Sequence, residues 1–162
     1  MTPLVLCLAL WADPGMADAA QPPPMAAAVL PVTAFTLAWT HSIERVRWEE
    51  DYRAELIGGQ PVLVATEARI KGSAAGMEPP KQARWRDGWY TYTPAGGPVH
   101  RLLLSRSTHT ADYELCTHQG CTPLGHWLGP AEGTVTVQPC LGIGKAAPSP
   151  GINRPQAPES SG

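Results

Sequence analysis

The chain is poor in charge, nearly free of phenylalanine and without an apolar stretch of membrane-spanning length. Charged residues are 16 % of the 162, Lys and Arg number 12 against 14 Asp and Glu, and phenylalanine occurs once. Basic residues are scattered among carboxylates rather than gathered in one run, which excludes nucleic acid and other polyanions as partners. The longest apolar run, Pro3 to Ala12, falls well short of the roughly 20 residues that a helical bilayer span requires. No Gly-x-Ser-x-Gly elbow occurs, and no glycine loop carries a Walker lysine, so hydrolase and nucleotide-site chemistry lack their motifs. With 16 Gly and 18 Pro, every stretch long enough for three helical turns is interrupted, and helix is excluded as the main architecture.

What remains is a strand pattern. Phe35, Leu37, Trp39 and His41 alternate onto one face, and Val62, Val64, Thr66, Ala68 and Ile70 onto another. Further strands are expected over Trp48–Leu56, Arg84–Thr93, His100–Ser107, Ala111–Thr117 and Thr134–Gln138, separated by Gly58-Gly59, Asp87-Gly88, Gly96-Gly97-Pro98, Gln119-Gly120 and Gly129-Pro130 turn chemistry. About seven short strands close as a small antiparallel β-sandwich or barrel. Trp39, Trp48, Trp85, Trp89 and Trp127 supply the large apolar area, as core first and ligand platform second.

The two ends differ from this middle. The run Pro3 to Ala12, followed by the small residues Ala17-Asp-Ala-Ala20, reads as a secretory signal cleaved after Ala19 or Ala20, although no Lys or Arg precedes it. Residues 1–20 are then a signal, 21–31 a Pro and Ala linker, 32–140 the β domain, and 141–162 a disordered tail of Pro, Gly, Ser and Ala. Removing residues 1–20 takes away Asp13 and Asp18 and leaves 12 acidic against 12 basic residues. A periplasmic or otherwise exported location follows, with no stable transmembrane anchor.

An exported chain without its first 20 residues keeps Cys116, Cys121 and Cys140, enough for one disulfide and one free thiol. Cys116 and Cys121 can face each other across a hairpin, or one of them can staple to Cys140. A metal site from Cys116, His118, Cys121 and Cys140 has suitable ligand types but not the paired Cys-x-x-Cys spacing. No metal and no cofactor is expected.

The residue choices that ordinary strand patterning does not explain lie in two segments, His41 to Arg53 and Glu67 to Pro80. The strings His41-Ser-Ile-Glu44, Trp48-Glu-Glu-Asp51, Glu67-Ala-Arg69, Lys71-Gly-Ser73, Gly76-Met-Glu-Pro-Pro80, Asp87-Gly-Trp89 and Leu115-Cys116 with Cys121 resemble the bacterial family catalogued as domain of unknown function 1850. The resemblance covers about residues 32 to 140. It implies small exported proteins encoded beside tripartite ATP-independent periplasmic (TRAP) transporters of the TAXI type, and so a context rather than a reaction. The solute receptor or the permease is then the implied partner, with a small organic acid as the implied solute.

Chemistry at these segments is limited by strand geometry. His41 and Ser42 are adjacent and point to opposite faces, so they cannot act as base and nucleophile. Glu44, Glu49, Asp51 and Glu78 offer oxygen ligands for a hard cation, but Arg45, Arg47 and Arg53 oppose one. Arg69 and Lys71 ahead of Gly72-Ser-Ala-Ala-Gly76 can cradle a carboxylate, with Ser73 and Met77 beside it, or the glycines serve only the turn. The expected role is a non-enzymatic accessory or interaction protein of TRAP-type uptake, its surface built from His41, Ser42, Glu44, Trp48, Glu49, Arg69, Lys71, Ser73, Met77, Glu78 and Trp89. The alternative is an independent periplasmic binder of a small anion or metal ion.

Overall fold

The computed structural model describes residues 2–11, 27–72 and 80–142. Its strands in chain order are β1 (Leu4–Leu10), β2 (Ala28–Leu30), β3 (Ala34–Thr40), β4 (Arg47–Ile57), β5 (Gln60–Lys71) and β6 (Arg84–Arg86). They continue with β7 (Trp89–Tyr92), β8 (Leu102–Arg106), β9 (Glu114–Thr117), β10 (Gly120–Pro123) and β11 (Gly133–Leu141), with the one-turn helix α1 (Gly125–Leu128) before the last. All pairings are antiparallel, in a four-stranded sheet of order β2-β1-β11-β8 and a seven-stranded sheet of order β10-β9-β3-β4-β5-β7-β6. Leu6, Leu8, Leu104, Val135 and Val137 from the first sheet meet Phe35, Leu37, Tyr52, Ala54, Leu63 and Leu115 from the second in one core. This is the expected antiparallel sandwich, with more strands than the pattern alone resolves. Arg84–Thr93 is a hairpin rather than one strand, because Asp87 and Gly88 both take left-handed φ (50° and 84°) and turn the chain between β6 and β7.

Three local features depart from the reading of the sequence. The run read as the apolar core of an export signal is β1, interior to its sheet, with Leu6 and Leu8 fully buried. Removal of residues 1–20 would therefore take out a central strand; the cleavage positions Ala19 and Ala20 lie outside the described residues. Ala28–Leu30, placed in the linker, is the short edge strand β2 on β1. The tail, read as beginning at residue 141, begins later, since Leu141 is the last residue of β11, and residues 143–162 lie outside the described residues.

Because β1 belongs to the sheet, Cys7 sits in register opposite Gln138 and forms a disulfide with Cys140. Cys116 and Cys121 are directly paired across the β9–β10 hairpin and bonded to each other. The expectation of one disulfide and a leftover thiol is thus corrected to two disulfides and no free cysteine among the described residues. The same pairing removes the thiolates that a metal site at Cys116, His118, Cys121 and Cys140 would need.

The alternation along β5 is broken by a bulge. Asp51 pairs with Glu67 and Tyr52 with Ala65, which leaves Thr66 as the extra residue, its hydroxyl donating to the Asp51 carbonyl at 3.2 Å. Ala68 and Ile70 therefore point to the core side along with Leu63 and Ala65, not with Val62 and Val64 as period two implied. The bulge turns Glu67 and Arg69 onto the outer face beside Glu49 and Asp51.

At the α1 end the fold is pinned by Arg106, whose side chain is wholly buried. It grips Asp112 through Nε (2.8 Å) and Nη2 (2.9 Å), and Nη2 also donates to the Gly129 carbonyl at 2.9 Å. Asp112 in turn accepts N–H bonds from Tyr113 (2.9 Å) and Gly125 (2.7 Å). Burial opposes ionisation of Asp112, but Arg106 and these two N–H groups outweigh it and hold the carboxyl below its ordinary value.

Candidate functional site

The end of the seven-stranded sheet where β3 turns into β4 and β5 leaves the sheet gathers the motif segments. Two backbone bonds close the first turn, His41 N–H to Val46 O and Arg45 N–H to His41 O, both at 2.9 Å. Within it the Glu44 N–H donates to His41 Nδ1 at 3.3 Å, and Arg45 takes a left-handed φ of 53°. Gly72, at the end of β5, packs beneath Val46 and donates its N–H to the Gly88 carbonyl of the β6–β7 turn at 3.0 Å. Three turns separated in sequence, 41–46, 71–72 and 87–88, thus form one rim.

The core side of this end is an aromatic row. The His41 ring stacks on Trp48 (5.8 Å between centroids), Trp48 lies 5.9 Å from Trp39, and Trp39 lies 6.1 Å from Tyr113. The register explains it, since Trp39 pairs with Trp48 and every second residue of β3 shares that face. The Trp48 indole nitrogen is buried and has no acceptor among the described residues. On the outer face, one residue beyond Ile70, Lys71 lies over the ring of its cross-strand partner Trp89 at 4.8 Å, a cation–π pair.

The outer face is an ion ladder across four strands. Arg69 on β5 binds Glu49 (2.6 Å) and Asp51 (2.8 Å) on β4 and its own neighbour Glu67 (3.2 Å). Arg47 on β4 binds Glu49 and, across β3, Glu114 on β9, both at 2.6 Å. That span is open because the β3 residue between Glu49 and Glu114 is Ala38, fully buried beneath the guanidinium. Thr36 completes the ladder by donating to Asp51 at 2.6 Å. Burial disfavours the Arg69 charge, yet Asp51 and Glu49 overcome this and raise its pKa. Arg47 is raised in the same way, by its hydrogen bond to Glu49 first and then to Glu114. An open groove of about 360 Å³ runs alongside, lined by Thr36, Asp51, Arg53, Thr66, Cys116 and His118 among others.

Of the residues singled out from the sequence, His41 and Trp48 meet in the aromatic row, Lys71 and Trp89 pair with each other on the outer face, and Glu49 and Arg69 meet in the ladder. Ser42 and Glu44 sit in the first turn. Ser73, Met77 and Glu78 lie outside the described residues. The oxygen cluster suggested for a cation is altered by this placement: Glu49 and Asp51 are occupied by Arg69, and no metal-holding group of His, Cys, Asp or Glu occurs among the described residues. The carboxylate cradle loses its anchor in the same way, because Arg69 is engaged by three acidic side chains. Reasoning from sequence took Arg47 only as a charge opposing a cation and passed over Glu114, Ala38 and Thr36, whose signal is cross-strand register, and Ile43, which is 80 % exposed at the tip of the first turn.

No curated protein and no solved structure matches the chain. The family model described as Domain of unknown function (DUF1850) matches residues 35–124, a span that holds the aromatic row, the ladder and both motif segments. The chain belongs to that family.

Proposed function

We propose that this chain is a non-enzymatic recognition module, an exported accessory of TRAP-type (TAXI) solute uptake that engages the solute receptor or the permease through the rim of motif turns. The observation that carries the reading is Ile43, an apolar side chain 80 % exposed on a turn whose ends are fixed by paired backbone bonds and by the His41–Trp48 stack. A preorganised turn presenting an apolar tip loses little conformational entropy on docking, which favours use as a contact. The ladder supports the same reading, because each of its guanidinium groups is matched by carboxylates and it serves to stiffen the platform. The transporter context comes from the family resemblance. The two disulfides agree with an oxidising compartment, and among the described residues no helix is long and apolar enough to cross a membrane.

The test is co-purification of the full chain with the neighbouring solute receptor and permease, with and without Ile43→Asp. Association that Ile43→Asp weakens by about tenfold or more, an exposed-site change expected to leave stability within about 0.5 kcal/mol, supports the role. Absence of association under crosslinking, joined to a thermal shift from a single small carboxylate or metal ion, would replace it with the independent binder.

A further inference from the structure

The two disulfides are built for different tasks. Cys7–Cys140 joins strands near the two ends of the described chain, with a sequence separation of 133, whereas Cys116–Cys121 closes a separation of only 5. In the chain-entropy relation the bond that closes the longer loop constrains the unfolded chain more and so contributes more to the stability of the fold. Cys121 is exposed, on the edge strand of its sheet. Arg47 Nη2 lies 3.9 Å from both Cys116 Sγ and Cys121 Sγ. A guanidinium there is of little use to a neutral disulfide but stabilises a thiolate, and so stabilises both the leaving group and the product of reduction.

We infer that Cys116–Cys121 is a thiol–disulfide exchange site for a dithiol reductant, with Arg47 as its thiolate-positioning residue and Cys7–Cys140 as the structural bond. In the exchange, a thiolate of the dithiol attacks Cys121 Sγ, the accessible sulfur. The Cys116–Cys121 bond breaks, a mixed disulfide forms on Cys121, and Cys116 departs as a thiolate facing Arg47. The second thiolate of the reductant then attacks its own sulfur in the mixed disulfide, closing the oxidised reductant and releasing Cys121. Two electrons pass to the protein, and the two protons of the dithiol go to the cysteines or, where Arg47 holds a thiolate, to solvent.

The inference is independent of the transporter role. It is tested on the full chain equilibrated in mixtures of reduced and oxidised dithiothreitol, then alkylated and read by peptide mass. Cys116–Cys121, the bond with an exposed sulfur beside Arg47, should be half-reduced at a lower reduced-to-oxidised ratio than Cys7–Cys140. Arg47→Gln should move the Cys116–Cys121 midpoint to more reducing mixtures and move the alkylation midpoint of the reduced pair to higher pH, with Arg47→Lys restoring part of both. Reduction of the two bonds together, or of Cys7–Cys140 first, overturns the assignment. An alkylation midpoint unmoved in a folded Arg47→Gln protein overturns the role of Arg47.

Discussion

Shortening the chain to begin at Gln21 removes β1 and should abolish the fold. β1 makes seven register pairs with β11 and three with β2, and it is the strand through which the four-stranded sheet is continuous. Leu6 and Leu8 are fully buried in the shared core, and losing side chains of this kind costs about 2–5 kcal/mol each. Cys140 would lose its partner, and a native disulfide is worth about 2–5 kcal/mol more. Together these contributions come to about 6–15 kcal/mol, the same range as the roughly 5–15 kcal/mol of net stability that a single domain commands. The assay is thermal and urea unfolding followed by circular dichroism, comparing the full chain, the chain from Gln21 and the graded control Leu8→Ala. Leu8→Ala should lower Tm by about 5–20 °C, from a cost of 2–5 kcal/mol at about 2–4 °C per kcal/mol. The chain from Gln21 should show no cooperative transition. If it melts cooperatively at the temperature of the full chain, the argument that Leu4–Leu10 is a structural strand is refuted, and the leader reading of that run is restored.

Ala38→Leu should place a branched side chain where the Arg47 guanidinium lies and cost about 1–3 kcal/mol by overpacking; in that background Glu114→Gln should have no further effect on urea unfolding, since the bridge is already lost. Asp112→Asn should cost about 3–5 kcal/mol at neutral pH by stranding the buried Arg106. Because the folded carboxyl titrates below its ordinary 3.8, its stabilisation is complete above that pH and fades as pH falls through the folded value, so wild type and Asp112→Asn should converge in acid; a gap independent of pH contradicts the pairing. Gly125→Ala should destabilise the chain by about 1–3 kcal/mol, because its Cβ would stand 3.2 Å from both Arg106 Nη2 and Asp112 Oδ2. Burial and the hydrogen bond to Glu50 push the Tyr52 phenol upward, so absorbance titration of the folded protein should leave it protonated well past pH 10, and Glu50→Gln should bring its ionisation to lower pH.

The sequence by itself determined the fold class and the place to look. Gly and Pro spacing forbids long helices, the period-two runs of β3, β4 and β11 specify strands, and Asp87-Gly88 specifies a turn, all through interactions within a few residues. The unusual choices in His41 to Arg53 and, among the described residues, Glu67 to Gly72 fall on the paired strands β4 and β5 and the turns at one end of them, because hairpin partners are close in sequence. Only the tertiary structure decided the rest. An apolar run such as Leu4–Leu10 has the same composition whether it serves export or a sheet, and its status turns on pairing with β11, more than a hundred residues away. That pairing also fixed the cysteine connectivity, since Cys7 finds Cys140 only when the chain ends share a sheet. The ladder was illegible for a related reason: Arg47 reaches Glu114 across β3 because register puts Ala38 between them, and the Thr66 bulge, not the alternation, sets which face Arg69 occupies. Charges that read one by one as ligands for a cation or a carboxylate are, once register aligns them, ligands for each other.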